Sequence, residues 1–230
     1  MRILKSVFLA TALAFPVAGA AFATDAPRIT VTGEGRVDTR PDMATISLGV
    51  TTQGATAAEA MAANSTQLAT VLANLKTAGI ADADLQTSGL SLNPNWSQSD
   101  SGSAAQISGY IASNMLTVRV RALDGLGGVL DAAVTDGANT LNGVTFGLAE
   151  PNPVLDEARK RAVADATHRA TLLSSAAGTE LGNVISITEG GGYVEPGPMF
   201  RMAADAASVP VAEGQVAMSA NVTMVWELKE

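Results

Sequence analysis

Ala44, Ile46, Leu48 and Val50 alternate with Thr45 and Ser47 in a run reaching Thr51, a period of two that predicts a strand with one face on a core. Thr56 followed by Glu59 is a capping box. Beyond it Met61, Leu68, Val71, Leu72 and Leu75 recur at helical spacing until Gly79 ends the run. Leu85 to Trp96 reads as extended, with Leu90 and Leu92 on one face, and Ser97 to Ser103 as a turn or hairpin end. A second unit follows: a strand carrying Leu116, Val118 and Val120, a short helix from about Leu123 to Val134, and a strand carrying Val144, Phe146 and Leu148. Gly125, Gly127 and Gly128 weaken that short helix and are expected to permit close packing on the sheet.

Pro151 and Pro153 open the longest helix, Val154 to Ala177, with Gly178 closing it. Leu155, Ala158, Ala162, Ala166, Ala170 and Leu173 form its apolar stripe, small enough to bring the axis close to a sheet. Glu157/Arg161 and Asp165/Arg169 are expected on the opposite side as i,i+4 pairs. A strand at Val184 to Thr188 leads into a long loop over residues 189–214. The chain closes on Val216, Met218, Ala220, Val222, Met224, Trp226 and Leu228, all on one face of a strand long enough to be central. Near the other end, Gly33-Glu34-Gly35 is expected to be a tight turn between two strands. It lacks the third glycine and the helix of a nucleotide fingerprint.

The first 23 residues stand apart. Arg2 and Lys5 precede an apolar run, Val7 to Ala14, and Ala21-Phe22-Ala23 supplies a small-x-small cleavage pattern, so residues 1–23 read as a cleaved signal peptide. Pro16 interrupts a stretch already shorter than the ~20 apolar residues of a spanning helix. A cut after Ala20 is the alternative. Losing Arg2 and Lys5 takes the net charge from −8 to −10, and residues 24–230 are expected to form a single domain exported to the periplasm.

Composition then excludes whole classes of chemistry. An acidic chain repels phosphate backbones, so nucleic acid is not an expected partner. Zero cysteines remove disulfides, thiolate nucleophiles and Cys-ligated metals. His168 is the single histidine and one candidate general base. A Ser-His-Asp reading would need Asp165, His168 and Ser175, yet seven helical residues hold His168 and Ser175 roughly 10 Å apart. Asp82 and Asp84 could offer carboxylates to calcium, but the glycine and further oxygen ligands of a calcium loop are missing, which favours a turn. Met199 and Met202 could hold Cu(I) or scavenge oxidant; two thioethers in a loop fit packing better. Asn64-Ser65-Thr66 and Asn221-Val222-Thr223 match the glycosylation pattern by chance, since both fall in regular elements.

Ile29-Thr30-Val31-Thr32-Gly33-Glu34-Gly35, then Pro41-Asp42-Met43-Ala44-Thr45-Ile46, resembles the opening of the SIMPL-domain family of bacterial envelope proteins. The ordered series continues through Gly79-Ile80, Leu85-Gln86-Thr87, Tyr110 to Asn114, the alanines with Asp165 of the long helix, and the strand from Gly214 to Leu228. The resemblance implies an α+β fold, an antiparallel or mixed β-sheet covered by two long helices and one shorter one. It also implies a secreted, non-enzymatic protein of the periplasm, with the outer membrane or cell surface as a further address. Such proteins act through homo-oligomers or envelope protein partners, are tied to oxidative or envelope stress, and include surface antigens. No catalytic, cofactor or metal residue is carried over. A hydrolase built on His168 and a methionine-based metal binder or scavenger are the rival expectations.

Overall fold

The computed structural model describes residues 26–97, 105–190, 193–195 and 211–230. The expected signal peptide, the part of the expected Ser97 to Ser103 turn that follows Ser97, and Met199 and Met202 lie outside them. The architecture is α+β with antiparallel pairing throughout, divided between two sheets. Sheet one comprises β1 (Arg28–Thr39), β6 (Glu180–Glu189), β7 (Tyr193–Glu195) and β8 (Val216–Lys229). Its order is β1-β8-β6, and β7 also pairs β8. Sheet two is ordered β3-β4-β2-β5, from β2 (Met43–Gly54), β3 (Leu85–Ser97), β4 (Gln106–Val120) and β5 (Thr140–Gly147). The closing strand β8 sits between β1 and β6, as its length and alternation predict.

Each sheet has its own helix and its own core. Helix α1 (Ala57–Thr77) is started by the Thr56/Glu59 capping box and lays Leu68, Val71 and Leu75 on Ile46, Leu48, Leu116 and Val118. Helix α2 (Leu126–Thr135) closes the side of that core with Leu126, Val129 and Leu130. Asn64, 1% exposed, is the polar exception. Its amide donates to the Val50 carbonyl at 2.8 Å and the Ala112 carbonyl at 3.1 Å, so it clamps α1 to both β2 and β4. That burial agrees with reading its glycosylation motif as chance. Space around Gly125 and Gly128 is open, so close packing on the sheet is not their role.

Helix α3 (Asn152–Ala176) covers β1 and β8. Ala158, Ala162, Ala166 and Ala170 are fully buried, and the row ends at Ser174 instead of Leu173, which is half-exposed. A residue row at i+4 is inclined to the helix axis, so by Ser174 the row has turned away from the face Leu173 shares with Arg169. Gly33 and Gly35 are not a turn. They lie inside β1, where a Cβ on Gly33 would meet the Ala162 carbonyl and the Ala166 amide, and one on Gly35 the Ala158 carbonyl. Backbone approaches backbone there because both sides carry almost no side chain. The glycine spacing encodes helix contact and leaves the strand unbroken.

Candidate interaction surface

The residues flanking the alanine row do more than pair with each other. Glu157–Arg161 and Asp165–Arg169 form at 3.2 and 3.6 Å, but on the side of α3 that overhangs β1, not on the helix's far side. Arg161 Nη1 donates to the Arg36 carbonyl at 2.8 Å, Asp165 accepts from the Glu34 N–H at 3.0 Å, and Arg169 Nη1 donates to the Thr32 carbonyl at 2.8 Å. Thr32, Glu34 and Arg36 alternate with the β1 residues that face β8. Their backbone groups therefore point out from the free edge of the sheet. Three side chains one helical turn apart thus occupy the edge that another strand would otherwise use.

The opposite situation holds at β3, the outer strand of sheet two. Asn139 bonds both backbone groups of Thr51 from the β5 side at 2.8 Å, which turns the even residues of β2 to β4 and the odd residues of β4 to β3. On β3, Gly89, Ser91 and Asn93 then enter the ladder, and Leu90, Leu92 and Pro94 direct their backbones outward. Pro94 has no N–H to offer, and bulges interrupt the strand at Thr87/Gly89 and Asn95/Trp96. The backbone edge is blunted, but the side chains are apolar. Leu90, Leu92 and Trp96 are 59%, 41% and 57% exposed, and Ile107 on β4 is 46% exposed. Leu85 to Ser97 and Ala105 to Val118 contain no charged residue.

The candidate chemical groups are placed apart. His168 is exposed on α3, Asp165 is occupied by Glu34, and Ser175 lies two turns further along the helix. Asp82 and Asp84 do not converge on a common point. Asp82 pairs with Lys76 at 2.6 Å, and Asp84 takes a bidentate contact from Arg121 Nε and Nη2 at 2.9 and 2.8 Å. The Arg121 hydrogen bond holds the Asp84 carboxyl below its ordinary range against the opposing effect of burial, and the pair raises Arg121. This is a structural tie between the start of β3 and the end of β4. Among the described residues no three His, Cys, Asp or Glu side chains are grouped as a metal site, and no helix is long and apolar enough to cross a membrane.

Two antiparallel sheets, each covered by a helix, and a β3–β4 hairpin that exposes apolar side chains define the class as α+β. The chain belongs to the SIMPL family, described as protein of unknown function (DUF541), which matches residues 29–226. It is 41% identical over 216 residues to the 26 kDa periplasmic immunogenic protein of Brucella melitensis, covering 90% of this chain and 86% of that one. It is also 34% identical over 190 residues to the uncharacterized protein YggE of Escherichia coli K12, with 82% and 76% covered.

Proposed function

We propose that the mature protein is a non-enzymatic periplasmic component that works by self-association through the β3–β4 hairpin. One observation carries the reading: Leu90, Leu92, Trp96 and Ile107 stay in solvent on one hairpin of a single chain. A second copy suits this surface. The chain carries a large negative charge, which sets copies against one another, whereas Leu85 to Ser97 and Ala105 to Val118 carry no charged side chain, so contact along these stretches is not opposed. The sequence resemblance supports a part in envelope or oxidative stress tolerance, with the assembly acting at the outer membrane or cell surface. The name of the Brucella relative supports the periplasm and a role as antigen.

Light scattering on the mature protein tests the reading. The wild type is expected to exceed monomer mass at micromolar concentration, and Leu90→Asp with Leu92→Asp to return it to monomer with unchanged circular dichroism. A wild type that is monomeric throughout, or a variant that keeps the assembled mass, overturns it.

A further inference from the structure

At the far edge of sheet two, between α2 and β5, lies a hollow of about 200 Å³. Its floor is Leu48, Leu130, Ala133 and Ala138, and Val134 and Leu141 stand on its rim 61% and 53% exposed. The polar groups beside it are already engaged with one another. Asn139 bonds Thr51, and the Thr140 hydroxyl lies 3.0 Å from Thr51 Oγ1 and donates to Asn139 Oδ1 at 3.3 Å. The hollow therefore offers a ligand hydrocarbon alone.

The chain segment that supplies all of the lining but Leu48 carries charge of one sign. From Ala122 to Glu150 the chain carries Asp124, Asp131, Asp136 and Glu150 and no Lys, Arg or His. Asp131 is i,i+3 to Val134, and Asp136 caps the C-terminal end of α2, where the helix dipole is also negative. Gln67, which donates to the Gly137 carbonyl at 2.8 Å, brings no charge from α1. β5 contributes none either.

We infer that this hollow binds the alkyl chain of a cationic amphiphile, its tail on Leu48, Leu130 and Ala133 and its head against Asp131 and Asp136. A fatty carboxylate fits the same floor and meets the wrong sign at the rim. This inference is independent of the hairpin.

Isothermal titration of the mature protein with alkyltrimethylammonium ions of six to ten carbons, below their micellar concentrations, tests it. Affinity is expected to rise about fourfold per methylene until the hollow is filled. The carboxylate of equal length is expected to bind at least about tenfold more weakly at low salt. Ala133→Phe fills the floor, and Val134→Ser at the exposed rim reports should the first variant misfold; both are expected to weaken binding. Asp131→Asn with Asp136→Asn is expected to bring cation and carboxylate toward equal affinity. Absence of saturable binding, equal affinity of the two head groups in the wild type, or indifference to Val134→Ser overturns the inference. So does a change of assembled mass in Val134→Ser, which would give the hollow to a second copy.

Discussion

Asp165 accepts a hydrogen bond at 3.0 Å from the backbone N–H of Glu34, 131 residues earlier in the chain. With Arg161 and Arg169 on either side, it closes the β1 edge using a helix whose buried face is alanine. Asp165→Ala is expected to cost about 1 kcal/mol in urea unfolding, and Asp165→Asn, which retains an acceptor, less than half of that. The triple variant Arg161→Ala, Asp165→Ala, Arg169→Ala is expected to aggregate faster on warming than the wild type, followed by turbidity. Equal turbidity would show that the edge needs no cover.

Gly33 and Gly35 admit α3 to backbone distance. Gly33→Val is expected to destabilise by about 3 kcal/mol or to prevent folding, whereas Gly128→Ala, in open space within α2, is expected to stabilise by about 0.5–1 kcal/mol. Denaturation midpoints of the two variants check this directly, and a tolerated valine at 33 would mean that α3 rides higher than described.

Asp84 has a folded pKa below its ordinary 3.8 because Arg121 bonds its carboxylate. The sign follows from linkage: the contribution is complete above the unfolded value and disappears as pH falls through the folded one. Wild type is expected to exceed Asp84→Asn in stability by about 1 kcal/mol at pH 6, with the gap closing below pH 3.8. Urea midpoints between pH 6 and pH 2.5 measure it; a gap constant with pH would contradict the assignment.

Trp96 is 57% exposed and Trp226 2% exposed. Dilution of the assembled protein is therefore expected to shift its emission to the red as Trp96 meets water, and Trp96→Phe to abolish the shift. A shift that survives Trp96→Phe would move the interface away from the hairpin.

Much of the fold was legible because period and caps are local properties. The Thr56/Glu59 box starts α1, the 216–228 alternation makes β8, and the alanine row buries α3. What escaped depends on partners distant in sequence. Gly33-Glu34-Gly35 looks like a turn until the alanines of α3 are laid on it. Asp165 and Arg169 look like a solvated pair until the β1 edge lies beneath them. The division into two sheets is set by which strands pair, and alternation alone does not contain that information. The hairpin surface was visible only as Leu90 and Leu92 on one face of an extended segment. Its meaning rests on α1 covering β2 and β4 and leaving the outer part of β3 bare. Near 189–214, β6 runs on to Glu189 and β7 pairs β8, so part of the expected loop is strand.

Sedimentation equilibrium of the mature chain, beside the Leu90→Asp/Leu92→Asp variant at matched concentrations, tests hairpin-driven association most directly. A wild type of several-fold monomer mass with a monomeric variant is the predicted result. Identical masses for the two proteins, whether monomeric or assembled, would contradict it.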